Sequence, residues 1–133
     1  MSRSVTFGVY TTQLPFLDTK EAKVRPVIVV SQPHGKHNVI AIIPLSSKPN
    51  QEAVDIALSH WQNEGLVKPS IARVHRITTI LQSDLLTELG QLDTSDIEAL
   101  KESIRTFLNL QKPPVAEPLP GDVLGSTPLG DAI

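Results

Sequence analysis

The 133-residue chain contains no cysteine. That excludes disulfides and thiolate metal sites, and it fits a reducing, cytoplasmic setting. Aromatic residues make up only 4% of the chain, so Val, Ile and Leu must build the core. Long apolar runs are also missing. The longest unbroken one is Val39 to Ile43, far short of the roughly 18 residues of a membrane span. No such run follows Met1-Ser2-Arg3-Ser4, so no signal peptide is expected. A large net charge is lacking too: the total is −2, which argues against a generic basic nucleic-acid binder.

The charge that is present is unevenly placed. From Lys20 to Arg76 eight basic residues face four acids, giving +4, and all four histidines lie there. From Leu81 to Lys112 three bases face six acids, giving −3. Such polarity allows an anion-binding face on a nearly neutral protein, although ordinary surface charge reads the same way.

The segment Lys23-Val24-Arg25-Pro26-Val27-Ile28-Val29-Val30-Ser31 organises the rest. A short β-branched run bounded by breakers predicts a buried strand over Pro26–Ser31. Proline forces the residue before it into extended geometry, so Arg25 is a fixed charge at the strand's mouth. A first strand is expected over Val5–Thr12 and a loop over Pro15–Lys23. A turn is expected over Gln32–Asn38, then a strand over Val39–Leu45 broken by Pro44. Ala53–Leu58 and Ser70–Ile77 alternate and predict two more strands, joined by a loop over His60–Pro69 around Gly65. In the first, Asp55 and Ala57 oppose Val54, Ile56 and Leu58. In the second, Arg73 and His75 share a face opposite Ala72 and Val74, so they should point outward or into a groove. The period then changes. Ser83–Leu89, closed by Gly90, predicts a short helix with a left-handed glycine stop. Ser95-Asp96-Ile97-Glu98 reads as a capping box opening a helix to about Leu110. Its Ile97, Leu100, Ile104, Phe107 and Leu108 form one apolar stripe. Eight of the 21 residues from Pro113 to Ile133 are Pro or Gly, which predicts a flexible tail after a domain spanning 1–112. The expected fold is mainly β, a small antiparallel barrel or curled sheet with helices laid against it.

Three polar groups fall at strand ends: Arg25, the Ser46-Ser47 pair, and Arg73 with His75. An arginine, a hydroxyl and a histidine around one cleft suit phosphodiester chemistry. Arginine grips a phosphate by parallel bonds, and histidine moves a proton near neutral pH. Taken singly, each has a plainer reading: an ion pair of Arg25 with Glu21, turn serines, a solvated strand histidine. His34 and His37 flank a turn without the further ligands zinc needs, so no metal site is expected.

The composite pattern resembles the PemK/MazF toxin family. It is carried by Pro15-Phe16-Leu17-Asp18, by Lys23 to Ser31, by Ile43-Pro44-Leu45-Ser46-Ser47, by Gly65 to Arg73, and by Leu89-Gly90-Gln91-Leu92. The resemblance covers about residues 5–110. It implies an SH3-like antiparallel barrel with a C-terminal helix, usually a homodimer. It implies a cytoplasmic endoribonuclease cutting single-stranded RNA without metal or other cofactor, leaving 2′,3′-cyclic phosphate and 5′-hydroxyl ends. The partner it implies is a cognate antitoxin whose extended acidic segment blocks the groove. The family's arginine before proline falls on Arg25 and its hydroxyl residue on Ser46. Catalytic roles are thus expected for Arg25, Ser46 and His75, and substrate binding for Lys23, Ser47, Lys48 and Arg73. The chain departs from the pattern at several points. Phe7-Gly8 stands near the usual Gly-Asp pair, Thr19 near a loop histidine, serine for threonine at 46, and His75 where some members carry aspartate. Two other readings share the fold: a catalytically inactive RNA- or partner-binding relative, and a gyrase inhibitor of the CcdB kind. The Gly130-Asp131-Ala132-Ile133 ending speaks against the latter.

Overall fold

The computed structural model describes residues 5–15, 22–49 and 52–110. The expected tail from residue 113 lies outside them, as does the centre of the loop expected between Pro15 and Lys23. Among the described residues seven strands precede one α-helix: β1 (Gly8–Pro15), β2 (Ala22–Val29), β3 (Val39–Ser46), β4 (Ile56–Ala57), β5 (Ile71–Ala72), β6 (Thr78–Leu81), β7 (Thr87–Gln91) and α1 (Thr94–Phe107). All pairings are antiparallel, in the order β4-β5-β3-β2-β1-β7, with β6 also on β3. The expected mainly β antiparallel fold with a C-terminal helix is met as a curled half-barrel.

The middle strands form because their residues can be buried on both faces. Successive side chains of a strand point to opposite sides. Val27 and Val29 therefore join Ile40, Ile42 and Leu14 in one apolar cluster. Ile28, Ile43 and Leu45 join Val9, Leu58, Leu66, Val74 and Leu100 in another. Ile28, Ile40, Ile42 and Ile43 are fully buried, each stabilising the fold by about 1.5–3 kcal/mol.

Pro44 does not break β3, contrary to expectation. β3 pairs with β6 through Val39–Ile42 and with β5 through Leu45–Ser46. Pro44 sits where the pairing passes from one neighbour to the other, so its missing N–H interrupts no ladder bond on that side. Its carbonyl accepts the Arg73 N–H at 2.9 Å.

Other expectations are corrected. β1 begins at Gly8 and extends to Pro15, which pairs with Ala22, so β-structure fills both ends of the expected loop. Ser83–Leu89 is not a helix: Gln82–Asp84 is a single 3-10 turn, and Thr87–Gln91 pairs with β1. A helix of two turns is marginal alone, and the edge of β1 offers its backbone a full set of partners. Gly90 is required for close approach, not as a left-handed stop: a Cβ there would lie 2.6 Å from the Glu64 carbonyl oxygen. Gly65 returns the contact, with φ +90° and a would-be Cβ 2.1 Å from the Leu89 oxygen. The 64–65 turn thus lies backbone to backbone on β7.

The strand expected over Ser70–Ile77 ends at Ala72 and gives way to a 3-10 turn, Val74–Arg76. Ala53–Leu58 likewise yields only Ile56–Ala57 as strand. The helix starts two residues earlier than the capping box implied: Asp93 is its N-cap and accepts the Ser95 N–H at 3.0 Å. That satisfies one of the free donors of the first turn. Asp96 is thereby released to accept the N–H groups of Ser59 and His60 at 3.0 and 3.1 Å. Leu100 is fully buried, and Ile97 and Ile104 pack against the same cluster. Phe107 and Leu108 overhang it and remain about two-fifths exposed. Glu64, fully buried, accepts the Asp93 N–H at 2.8 Å and so ties the loop before β5 to the root of the helix. Among the described residues no helix is long and apolar enough to cross a membrane.

Candidate active site

A cleft of about 230 Å³ opens between the mouth of β2, the end of β3 and the loop leading into β5. β2 contributes Arg25 and Pro26, and the end of β3 contributes Leu45, Ser46 and Ser47. The facing wall is Leu66, Val67, Lys68 and Ser70. The floor is apolar and the rim carries two cations and three hydroxyls, a composition suited to an anionic ligand with flat apolar parts.

Ser46 is held from two sides. Its Oγ accepts the Lys48 N–H at 3.1 Å and, at a long 3.4 Å, a bond from Arg73 Nη2. A hydroxyl has two lone pairs and one proton. With both lone pairs engaged, the Ser46 O–H is left to donate, and no described residue accepts it.

The sequence-predicted residues separate into two groups. Arg25, Ser46 and Ser47 meet in the cleft. Lys48 is exposed beside it and joins through its backbone. Lys23 is exposed on β2, two residues before Arg25, and does not line the cleft. Arg73 and His75 do not line it either, and they do not share a strand face, because β5 has ended. Arg73 is only 7% exposed. Its Nη2 donates to the Lys48 carbonyl at 2.7 Å, and its Nη1 pairs with Asp55 Oδ2 at 3.4 Å. His75, half-buried, has its Nδ1 2.8 Å from Asp55 Oδ1. The inward placing of Ala72 and Val74 is as expected, both being fully buried.

Asp55 is the residue that sequence reasoning missed. Alternation placed it on the face opposite Ile56, yet it is 3% exposed. Burial alone would raise its pKa. The hydrogen bond from His75, the N–H groups of Glu52 and His75, and the charge of His75 outweigh burial and hold the carboxyl below its ordinary value. Lys68 and Ser70 were also missed as cleft residues. The only signal for them was their place inside the family-like segment Gly65–Arg73.

The arrangement can grip a phosphate with Arg25 and Lys68 while Ser46 donates to one of its oxygens. A family model described as PemK-like, MazF-like toxin of type II toxin-antitoxin systems matches residues 6–108. Solved structures resemble the fold closely. The Mycobacterium tuberculosis toxin MazF-mt6 is 25% identical with a TM-score of 0.64, over 79% of this chain and 99% of that one. An endoribonuclease in complex with its cognate antitoxin from a mycobacterial species is 16% identical with a TM-score of 0.65, over 84% and 100%. MazE-MazF from Deinococcus radiodurans is 12% identical with a TM-score of 0.61, over 84% and 99%. No curated protein matches the chain. With the family pattern spanning residues 6–108 and the half-barrel shared along nearly the whole length of these relatives, the chain belongs to the PemK-like, MazF-like toxins of type II toxin-antitoxin systems.

Proposed function

We propose that the protein is an endoribonuclease that cuts single-stranded RNA at the Arg25–Ser46 cleft, by internal attack of a ribose 2′-hydroxyl. The 2′-hydroxyl loses its proton and the O2′–P bond forms. The P–O5′ bond breaks, and the departing 5′ oxygen takes up a proton. The products are a 2′,3′-cyclic phosphate and a 5′-hydroxyl. No metal is needed in this scheme, because Arg25 supplies the positive charge that the crowded phosphate requires. Ser46 donates to a non-bridging oxygen. Ser47 and Lys48 flank the RNA, and Lys23 extends the basic track along β2. Arg73 acts by holding Ser46 and the 46–48 segment. His75 is the candidate proton carrier; it does not line the cleft, so its ring would exchange protons with the reacting oxygens through a bridging water.

The observation that carries this reading is the meeting of Arg25 with a serine whose O–H is left to donate. Two neighbours described as endoribonucleases, one bound to its cognate antitoxin, support it. By the same likeness, an antitoxin with an extended acidic segment would occupy the basic cleft, and the toxin would act in the cytoplasm as a homodimer. The test is to incubate the protein with mixed-sequence RNA in EDTA and map the new ends. Cuts with 5′-hydroxyl ends are expected, and Arg25→Ala should abolish them while leaving the fold intact. Binding without cuts would favour an inactive RNA-binding relative. The placement of Arg73 and His75 away from the cleft walls is the one observation that favours that second reading.

A further inference from the structure

We infer that Asp55 is the positioning residue of the site, serving Arg73 with one carboxylate oxygen and His75 with the other. The inference rests on the reading of the cleft as a ribonuclease site. The carboxylate comes from the residue immediately before β4 and meets both side chains across the turn that follows β5.

The geometry divides the carboxylate cleanly. Oδ2 accepts the Glu52 N–H at 3.0 Å and faces Arg73 Nη1 at 3.4 Å. Oδ1 lies 2.8 Å from His75 Nδ1 and 3.4 Å from the His75 N–H. Two carboxylate oxygens offer about four lone-pair sites, enough to serve both arms at once. Closing the Glu52–Asp55 turn requires one of those bonds; the other three reach residues 73 and 75.

Each arm has a consequence. On the Arg73 side, the guanidinium is anchored through Nη1, which leaves Nη2 to bridge the Lys48 carbonyl and Ser46 Oγ. Ser46 Oγ already accepts the Lys48 N–H, and the arginine aligned by Asp55 supplies its second donor, so that the Ser46 proton is directed elsewhere. On the His75 side, an ionised carboxylate can only accept. Nδ1 must therefore carry the proton, and in the neutral ring Nε2 keeps the lone pair. Asp55 fixes the tautomer in which His75 can take up a proton at Nε2.

Asparagine cannot reproduce both arms. It offers one oxygen and one NH2, and whichever side receives the NH2 loses its acceptor. Asp55→Asn should lower the RNA cleavage rate at least tenfold while the circular dichroism spectrum and melting stay cooperative. In a His75→Gln, Arg73→Lys background the same substitution should change the rate less than threefold, because the groups it positions are gone. Nitrogen-15 spectra of the unaltered protein should show neutral His75 protonated on Nδ1. A folded Asp55→Asn variant cutting within twofold of the parent would overturn the inference, as would a full loss in the substituted background. A His75 ring protonated on Nε2 in the unaltered protein would overturn it as well, and that reading stands even if Asp55→Asn fails to fold. A parent protein that cuts no RNA would instead sink the ribonuclease reading, and the tautomer would still decide the role of Asp55.

Discussion

Glu64 should make this protein less stable as the solution becomes less acidic. The side chain is fully buried. Burial, then the neighbouring carboxyl of Asp96, and then the charges of Asp96 and Asp93, push its pKa from 4.5 to about 7, against the lowering effect of the Asp93 N–H. The folded state therefore binds more protons than the unfolded chain between those two values. Its contribution is complete below about pH 4.5 and is lost as the pH rises to about 7. A shift of that size corresponds to about 3 kcal/mol, or about 10 °C in melting temperature for a domain of this length. Glu64→Gln stays neutral and can still accept the Asp93 N–H. It should match the parent at pH 5 and exceed it at pH 8 by up to about 3 kcal/mol. Urea unfolding followed by the fluorescence of Trp61, the chain's single tryptophan, reads this directly. The informative quantity is parent minus variant, which cancels the contribution of every other group. If that difference stays constant from pH 5 to pH 8, Glu64 is ionised in the fold and the reasoning is wrong.

Further tests bear on the cleft and the core. Arg25→Ala should cut the RNA cleavage rate by about a hundredfold or more without shifting the melting temperature by more than a few degrees; an equal loss of stability would make Arg25 structural. Ser46→Thr keeps the hydroxyl and should retain cleavage, whereas Ser46→Ala should lose about tenfold; equal rates for the two would remove Ser46 from the mechanism. Gly90→Ala places a methyl 2.6 Å from the Glu64 carbonyl oxygen, and should destabilise by about 1–3 kcal/mol in denaturant titration. Leu100→Ala should cost about 2–5 kcal/mol, because its side chain is wholly enclosed; a smaller loss would mean that α1 packs loosely.

The strands that bury both faces were legible because β-branched runs bounded by breakers have few other uses. Val27–Val29 and Val39–Ile43 fall where their composition puts them. The helix was legible from the spacing of Ile97, Leu100 and Ile104, although its cap was misassigned. Asp93 and Ser95 are both competent caps, and only the demand of Ser59 and His60 on Asp96 shows which arrangement satisfies every donor. Ser83–Leu89 misled because Leu85, Leu86 and Leu89 match a helical spacing, while the vacant edge of β1 is invisible in a linear pattern. Arg25 and Ser46 could be found because proline and a strand end mark them. Asp55 could not. Period-two reasoning assumes a continuous strand, but here pairing covers only Ile56–Ala57, and just before it a buried guanidinium from a distant segment dictates what faces inward. The basic surplus of the strand half misleads in the same way, since part of it, Arg73, is neutralised internally by Asp55.

The contact between Gly65 and Gly90 has a mechanical consequence. The cleft wall formed by Leu66, Val67, Lys68 and Ser70 springs from a root where two backbones touch with no side chain between them. That root is also bolted to the helix through Glu64 and Asp93. Such a joint has no room to slide. On this side of the cleft the joint leaves pivoting to the segment beyond it, residues 66–70, so the wall is a thumb on a fixed knuckle. Its apolar tip, Val67, is 89% exposed and travels farthest for a given rotation.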